Sequence, residues 1–538
     1  MAPSPAGQPR ILRRGAWRSH PMTGCPSPSH SAHAGASGQG VAVAGALAPY
    51  EPLLARASAA GIRRPDSVPD PSRPVGEPTA ALPFDHIVVV MMENHSFDNY
   101  FGMLPRRGQP AADGFAFDSS GQPTNSNPVK GGSVVVAHAA SACQPVDITQ
   151  AWTPTHQEID GGAMDGFAAV DLGQMTYYDD RDIPFYYSLA KTFTLGNRWF
   201  ASAPCQTYPN RRFLFAGTAY GDIATDTSSI LTDPPPANGT IFDRLSAHNI
   251  SWRNYFTDLP ATGIIPSIPK KYPANLTSIS QFYADCAAGT LPSVSFVDPE
   301  FGATSDVGGP LGSVPGLGGP ANSAATQGGD EENPQNIQFG EAFVASVVGA
   351  VLKSPAWPRT LLVYIYDEHG GYYDHVPPPR AIPPDSIAPR LAPDDVRGGY
   401  DIYGCRVPAV VVSAHSRPAA VSNVVYDHTS VLATIEAKWN LPALTYRDAN
   451  AATIADFLDP RRAAFLEPPT LAGPPREVRL RAQTPTRSCP CPPIRPGEGL
   501  GRAGARPAAS SRSSRCASTV VITPPTACSS ACACRRGS

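Results

Sequence analysis

Four runs of consecutive apolar residues, most of them β-branched or aromatic, recur along the chain. The first lies within 84–92 and includes Ile-Val-Val-Val-Met-Met, and the others cover 293–297, 360–366 and 407–413. Apolar runs of this length, without polar alternation, are typical of strands buried on both faces of a sheet. We therefore predict four core strands at these positions.

Two stretches carry apolar side chains at helical spacing. Between 336 and 352 they recur about every 3.6 residues, and within 428–439 one face holds Val431, Leu432 and Ile435. Strands that alternate with helices predict an α/β fold with a mostly parallel sheet. Residues 306–329, with eight Gly in 24 positions, are predicted to form a long mobile loop inside the domain.

Composition narrows the classes of function. Charged residues make up 16% of the 538 positions and the net charge is −3, so no basic excess indicates nucleic-acid binding. No apolar run approaches the roughly 18–20 residues of a membrane span, and no transmembrane segment is predicted. With 42% hydrophobic residues the chain can bury a large core.

The two ends differ from the middle. Residues 476–538 hold eleven Arg, no Lys and two acids, a local charge of +9 that leaves −12 for the remainder. Six of the eleven Cys lie in this tail, and their C-x-C pairs lack the His partners and spacing of structural zinc sites. Residues 1–80 are similarly rich in Pro, Ser, Ala and Gly. We predict one folded domain over 81–465, between a leader (1–80) and a tail (466–538) that do not fold.

Localisation stays open at this point. Arg13-Arg14 is the pair expected of a twin-arginine signal, but 19–39 lacks the apolar stretch that a signal peptide needs, and no signal peptide is readable. If the protein is exported, the four domain cysteines could form two disulfides in any of three pairings; they are Cys143, Cys205, Cys286 and Cys405.

Polar side chains follow two of the predicted strands directly. Glu93-Asn94-His95 comes after the first strand, and Asp367-Glu368-His369 comes after the strand at 360–366. Ligands of open α/β sheets bind at the carboxyl ends of the strands, and four oxygen ligands suit a hard or borderline divalent cation. Either end alone is better explained as loop acids or helix caps. Both together, with Gly370-Gly371 permitting close backbone approach, predict a metal site.

A third element, 204–213, surrounds Thr207 and Pro209. Pro209 indicates an early helical position, which places Thr207 near a helix N-cap. A helix N-terminus offers free N–H groups to a phosphate, and a hydroxyl beside a cation can act as a nucleophile. Taken alone, Thr207 is more economically explained as a simple cap.

Six separated motifs occur along the chain in the order Glu93–Gly102, Met164–Phe167, Thr207–Arg211, Asp367–Pro379, Arg406–Pro408 and Asp427–Ser430. Together they resemble the bacterial phosphoesterase family of non-specific phospholipases C and AcpA-type acid phosphatases. The resemblance covers about 84–460 and makes 81–465 the expected catalytic domain. It implies the three-layer α/β/α fold of the alkaline phosphatase superfamily.

The resemblance also implies roles. One divalent metal, of unknown identity, would be held by Glu93, Asn94, Asp367 and Glu368. Thr207, at the family's Ser/Thr nucleophile position, would attack phosphorus and form a phospho-threonine that water then hydrolyses. His156 matches a family His near the phosphate, where it would stabilise oxygens or protonate the leaving group. Further histidines in matching motifs are His369, His428 and His375, whereas His95 is expected to stay out of direct contact.

One position departs from the family pattern. Many phospholipase-like members carry Glu-His-Pro before the long helix, whereas this chain has Glu332-Asn333-Pro334. An imidazole that can donate a proton is thereby replaced by an amide that can only hydrogen-bond. The sequence therefore does not decide whether the substrate is a phospholipid or a soluble phosphate ester. The aromatic segments 177–178 and 185–187 could serve lipid contact or the core, and the oligomeric state is not indicated.

Three hypotheses follow. The first is a metal-dependent hydrolase of phosphate esters. The second is a sulfatase-like or mutase-like relative of the same superfamily; Thr207 cannot become the formylglycine of sulfatases, and a convincing set of His ligands for the mutase's second metal is not found. The third is a non-catalytic member with a decayed site, against which the motifs stand intact apart from Asn333.

Overall fold

The computed structural model describes residues 61–143, 148–226, 230, 234–301, 329–333 and 335–475. Within this part of the chain the strands are β1 His86–Met92, β2 Ser126–Val129, β3 Gly132–Val135, β4 Ala137–His138, β5 Thr176–Tyr177, β6 Thr194–Gly196, β7 Trp252–Phe256, β8 Leu276–Ser278, β9 Val294–Asp298, β10 Thr360–Tyr366, β11 Ala409–Ser413 and β12 Val421–Ser422.

The α-helices of the same residues alternate with these strands. They are α1 Phe97–Phe101, α2 Trp152–Ile159, α3 Phe167–Val170, α4 Pro184–Thr192, α5 Thr207–Ala216, α6 Ile241–Ala247, α7 Ser267–Lys271, α8 Ile279–Ala288, α9 Ile337–Lys353, α10 Thr429–Trp439 and α11 Tyr446–Asn450. Short 3-10 turns lie at Leu104–Arg106, Asp160–Gly162, Leu172–Met175, Ala261–Ile264, Pro273–Asn275, Trp357–Arg359 and Ile454–Phe457.

Eight strands form the central sheet in the order β12-β6-β11-β10-β1-β9-β7-β8. Strand β11 pairs antiparallel with both of its neighbours, and the other pairings are parallel. The predicted α/β architecture with a mostly parallel sheet is therefore confirmed. The four apolar runs coincide with β1, β9, β10 and β11, the central part of the sheet.

The core lies on both faces of this sheet. Every residue of β9, β10 and β11 is buried, and so is every residue of β1 after its first. Side chains alternate between the two faces of a strand, so burial of consecutive residues requires a layer of structure on each side. Helix α9 contacts both α4 and α8, whereas α5 contacts α6 and α10, and α10 also contacts α11. This arrangement is the three-layer α/β/α architecture.

The two predicted helices begin at the expected residues. Asn336 caps α9, because its side chain accepts the N–H of Gln338 at 2.9 Å, and His428 is the residue preceding α10. Strands β6, β7, β8 and β12 were not predicted. They are short and carry polar residues, and their pairing depends on the neighbouring strands rather than on a local pattern.

Residues 61–80 lie in the structure along α10 and the segment that follows it. The N–H of Gly76 donates to Trp439 O at 2.9 Å, and that of Asp70 donates to Asn440 Oδ1 at 2.9 Å. The Lys438 ammonium donates to Thr79 O at 3.0 Å. The sequence assigned these twenty residues to the leader because their composition resembles it. Their placement depends on hydrogen bonds to distant residues, which composition does not indicate.

The two disulfides that the four domain cysteines could have formed in an exported protein are not present among the described residues. Cys205, Cys286 and Cys405 are buried free thiols, and Cys143 is disulfide-bonded. Burial raises the pKa of the Cys286 thiol to about 12. Such thiols act as small apolar core residues.

Several other expectations fall outside or at the limit of the described residues. All but the last residue of the glycine-rich segment 306–329 lies outside the described residues. The C-x-C pairs of the tail also lie outside them. Among the described helices, none is both long and apolar enough to span a membrane.

A buried arginine ties α1, the helix after β1, to the segment around Asp374. Arg406 is fully buried; its Nε donates to Asp374 Oδ1 at 2.8 Å and its Nη2 to Asp98 Oδ1 at 3.1 Å. Its guanidinium also lies over the Phe97 ring, 4.3 Å from the centroid. Removing the cation would leave the buried Asp374 carboxylate without its hydrogen-bonded cation and Asp98 with His375 alone.

We therefore expect Arg406→Met to lower the free energy of unfolding by about 3–5 kcal/mol, the usual cost of breaking a buried pair. The matched control is Arg359→Met, since Arg359 pairs with Asp85 where both side chains are about half exposed. That change should cost about 1 kcal/mol or less. Denaturation of both variants measures the difference, and equal losses would contradict this assignment.

Candidate functional site

The predicted metal ligands meet at the carboxyl ends of β1 and β10. These strands pair in parallel with Met92 opposite Tyr366, so Glu93 and Asp367 follow at the same edge. The N–H of Asp367 donates to Met92 O at 3.1 Å, and the N–H of Asn94 donates to Asp367 Oδ1 at 3.1 Å. The strand register thus brings the two polar ends together.

A glycine makes this approach possible. Gly370 has a φ of 63°, and a Cβ placed on it would lie 1.9 Å from Asn94 O. Asn94 itself has a φ of 66°, an uncommon conformation for a residue other than glycine. The backbone after both strands is therefore held in strained, specific conformations, which are often found at functional sites.

Two of the predicted ligands carry oxygens that no described residue engages. Asn94 Oδ1 and Glu368 Oε1 are buried and have no hydrogen-bond partner within the described part of the chain. Such atoms are uncommon in native structures, where a buried polar atom usually has a partner such as a protein group, water or an ion. An amide oxygen and a carboxylate oxygen are donors that suit a divalent cation. These two oxygens therefore fit a divalent cation.

The electrostatics of the carboxylates agree with this fit. Burial raises the pKa of Glu368 to about 7, against the opposing effect of its hydrogen bond with His369. Burial also raises the pKa of Glu93 and of Asp367, although the nearby Arg211 cation acts in the opposite direction on both. A bound cation would favour the ionised forms of all three acids.

Helix α5, which begins at Thr207, contacts this edge through Arg211. Thr207 is the first residue of the helix, Gln206 is its N-cap, and Pro209 lies in the first turn, as the sequence predicted. One turn later, Arg211 Nη2 lies 3.1 Å from Glu93 Oε1 and Nε lies 3.3 Å from Asp367 Oδ2. Residues four apart share one face of a helix. Arg211 therefore directs the face that carries Thr207 towards the carboxylates.

Asn210 shapes the loop that leads into the helix. Its side-chain amide donates to Cys205 O at 2.7 Å and to Ala203 O at 3.2 Å, and its oxygen accepts the N–H of Ala203 at 3.1 Å. A single side chain thus fixes the turn preceding Thr207. The sequence analysis assigned no role to Arg211 or Asn210. The sequence did indicate that both residues lie about one turn after the polar start of a predicted helix.

His369 lies between two carboxylates. Its Nε2 is 2.8 Å from Glu158 Oε2, and its Nδ1 is 3.3 Å from Glu368 Oε2. Burial lowers the pKa of His369, but hydrogen bonds with Glu158 and Glu368 outweigh it and raise the pKa to about 10. Glu158, on α2, was not identified from the sequence. Its signal was weak, since it is one acid in a helix that also holds His156.

His428 contacts the same edge from the other side. Its Nε2 lies 2.6 Å from Asp367 O, and its Nδ1 is buried without a hydrogen-bond partner among the described residues. Burial lowers the pKa of His428 to about 4, so the ring is neutral at pH 7. Its N–H therefore positions the backbone of Asp367.

His156 is not joined to these groups by a hydrogen bond within the described part of the chain. Its Nδ1 lies 2.7 Å from Trp152 O and its ring packs on Trp152, with ring centroids 4.4 Å apart. Burial lowers the pKa of His156. Because Nδ1–H is engaged with a carbonyl, Nε2 is the nitrogen left for proton exchange.

The remaining motif residues have structural partners. His375 Nδ1 lies 2.6 Å from Asp98 Oδ2, and His95 Nδ1 lies 2.8 Å from Asn99 Oδ1. Asn333, which stands where many phospholipase-like members have a His, donates to the Tyr372 hydroxyl at 2.8 Å. The amide at this position is therefore engaged within the fold.

Glu93 also belongs to a second acidic group. Single oxygens of Glu93, Asp330 and Glu332 lie within 4.8 Å of one another. Among the described residues, Glu93, Asp367 and Glu368 do not form a group of this spacing. The predicted ligands thus share a sheet edge without closing around one point, and Asp330 and Glu332 are additional acids that the sequence analysis did not assign to the site.

The chain is similar in sequence to proteins of known family. The family model described as Phosphoesterase family matches residues 84–442. The chain belongs to the phosphoesterase family. Non-specific phospholipase C6 of Arabidopsis thaliana is 30% identical over 403 residues, covering 70% of this chain and 72% of that protein. Phospholipase C B of Mycobacterium tuberculosis is 26% identical over 69% of this phosphoesterase and 76% of that protein.

Solved structures are more distant. A Vibrio parahaemolyticus protein described as a member of the alkaline phosphatase superfamily is 11% identical, with a TM-score of 0.30 over 64% of this chain and 77% of that one. The assignment of this phosphoesterase rests on the sequence relatives. Hydrolysis of phosphate esters is the chemistry of that family.

The close approach at Gly370 yields a prediction. Gly370→Ala places a Cβ against Asn94 O and forces a positive φ on a non-glycine residue, at a cost of about 1–3 kcal/mol. Displacing ligands by about 1 Å should also reduce hydrolysis of p-nitrophenyl phosphate by about 100-fold.

The matched control is Gly349→Ala in α9, where a Cβ meets no atom within 4 Å. This change should leave turnover unaltered and stabilise the helix by up to about 1 kcal/mol. Thermal unfolding and initial rates measure both variants. Wild-type turnover by Gly370→Ala would refute the role of the strand-end approach.

Proposed function

We propose that this phosphoesterase is a metal-dependent, phospholipase C-like hydrolase that acts through a phospho-threonine at Thr207. The supporting observation is the pair of buried, unpartnered oxygens, Asn94 Oδ1 and Glu368 Oε1, within the described residues at the edge that Arg211 links to the start of α5.

Glu93, Asn94, Asp367 and Glu368 would hold one divalent ion of unknown identity. Such an ion, when bound, lowers the pKa of a nearby hydroxyl and neutralises phosphate charge. Asn94 contributes a neutral oxygen, so the set does not add a fourth negative charge to the edge. Arg211 supplies a fixed positive charge that opposes the effect of burial on the pKa of Glu93 and Asp367 and holds both side chains in place.

Thr207 is the group that would attack. Its hydroxyl oxygen forms a bond to phosphorus while the bond from phosphorus to the leaving oxygen breaks. The first N–H groups of α5 and the positive end of its dipole are available to the phosphate oxygens, as at other helix N-termini. Asn210 holds the preceding loop, so Thr207 need not be ordered again in each turnover.

The leaving oxygen must take up the proton that the Thr207 hydroxyl gives up, and in the second step a proton from water must return to the Thr207 oxygen. His156 is our candidate for this exchange, through Nε2, because Nδ1 is engaged with Trp152 O. Water then forms the new bond to phosphorus and the Thr207 oxygen leaves, which restores the hydroxyl. The lowered pKa of His156 suits a group that accepts a proton from water.

The substrate class is proposed from the relatives. The named relatives are phospholipases C, so a phospholipid diester is the first substrate to test and a soluble monoester the second. The aromatic segments 177–178 and 185–187 do not favour either substrate, because they are not available for lipid contact. Their side chains are all buried in the core: Tyr177, Tyr178, Phe185, Tyr186 and Tyr187.

The nucleophile is tested by Thr207→Ala. We expect turnover of phosphatidylcholine and p-nitrophenyl phosphorylcholine to fall by at least about 1000-fold, because the covalent route is lost. Thr207→Ser should retain activity, since it keeps a hydroxyl. The control is Thr434→Ala, a buried threonine whose hydroxyl donates to Ser430 O in α10. Acid-quenched wild type should yield a phosphorylated Thr207 peptide; turnover by Thr207→Ala would overturn the mechanism.

The metal is tested separately. Dialysis against a chelator should abolish hydrolysis, and adding back a divalent cation should restore it, while the fold remains intact by circular dichroism. Asn94→Ala should raise the metal concentration needed for half-maximal activity, because one ligand oxygen is lost. Full activity in a protein shown by elemental analysis to be metal-free would contradict the proposal.

A further inference from the structure

We propose that Glu158 is a positioning residue that, through His369, holds the candidate metal ligand Glu368 in its orientation. The inference rests on the proposed function, because it assigns Glu158 to the support of the metal site. It goes beyond that function in naming a fully buried acid from another helix that neither binds the metal nor touches the substrate in our mechanism.

The contacts form a chain. Gln174 Nε2 donates to Glu158 Oε1 at 2.7 Å, and Glu158 Oε2 accepts from His369 Nε2 at 2.8 Å. On the far side of the imidazole, Nδ1 lies 3.3 Å from Glu368 Oε2. Both oxygens of Glu158 are thus engaged, and the ring of His369 is held at both nitrogens.

The chain ends at an oxygen that is free for a ligand. Glu368 Oε2 is engaged with His369 and with the N–H of Gly370 at 2.8 Å. Its other oxygen, Oε1, has no hydrogen-bond partner in the described part of the chain. Fixing Oε2 fixes the carboxylate plane and hence the direction in which Oε1 points. Outer groups that orient ligands in this way typically change metal affinity when removed.

The helix end that carries Glu158 is itself rigidly placed. The N–H of Gly166 donates to Glu158 O at 3.2 Å. A Cβ at Gly166 would lie 1.9 Å from Gln157 O, so the returning chain packs directly on the last turn of α2. Glu158 and His369 are both essentially inaccessible to solvent. Burial of the acid beside the imidazole requires this pairing, since an unpaired buried carboxylate is costly.

The test measures metal binding directly. Chelator-treated full-length protein is titrated with MnCl₂, and free Mn²⁺ is followed by its electron paramagnetic resonance signal. Mn²⁺ suits oxygen ligands. We expect Glu158→Gln to raise the Mn²⁺ dissociation constant by about 10- to 100-fold. Glu158→Asp, which keeps the charge and shortens the side chain, should raise it less, and it serves if the first variant does not fold.

The matched control is Glu341→Gln. Glu341 is also fully buried and accepts the N–H of Phe185 at 2.6 Å, at the start of α4 rather than at the site. It should bind Mn²⁺ as the wild type does. A second readout is the downfield imidazole N–H proton of His369 in metal-free protein, which should be present in the wild type and in Thr207→Ala and absent in Glu158→Gln.

The outcomes separate the two proposals. Wild-type Mn²⁺ affinity in Glu158→Gln, with the wild type binding normally, overturns the role of Glu158 and leaves the proposed function standing. An equal loss in Glu341→Gln also overturns it, because the effect would then be general loosening. A wild type that takes up no Mn²⁺ removes the metal from the proposed function and this inference with it.

Discussion

The site depends on burying several carboxylates at one edge of a sheet with few cations to balance them. Glu93, Asp367 and Glu368 are each less than a tenth exposed, and Arg211 contacts the first two. Charges taken out of water are tolerated only when they are paired or bind a metal. Helix α5 is held where it is because it carries that arginine, and its position determines where Thr207 lies. Charge balance thus couples the proposed metal site to the proposed nucleophile.

Further pairs of buried opposite charges lie next to the strand-end acids. Glu158 and His369 place an acid and a base behind Glu368. Arg406 joins Asp98, in α1, to Asp374, in the loop that follows β10. The two sets of charge pairs have different structural roles. The Arg406 cluster engages its charges within the fold and holds loops together, whereas the His369 contacts leave one oxygen of Glu368 available. A buried network with one unsatisfied ligand atom is what a metal site requires before the ion is bound.

The acidic residues before α9 extend the same edge. Asp330 and Glu332 approach Glu93, while Glu331 between them points away and accepts hydrogen bonds from Tyr100 and Tyr186. Alternating directions along this segment explain how three consecutive acids can be accommodated. Asn333 ends the segment with a hydrogen bond to Tyr372. The amide that departs from the family pattern is therefore built into the core packing beside the site.

The sequence by itself determined the central strands, both long helices, the family and the identity of the residues at the strand ends. It could do so because continuous apolar runs have few alternatives and because local motifs carry their chemistry with them. Tertiary structure alone decided the order of 61–80, the three free thiols, the short strands, and the partnership of Arg211 and Glu158 with the strand-end acids. Each of these depends on contacts between residues far apart in the chain, such as Glu158 and His369, 211 positions apart. A local pattern cannot report which distant charge will balance a buried acid, because that choice is made by how the strands and helices pack.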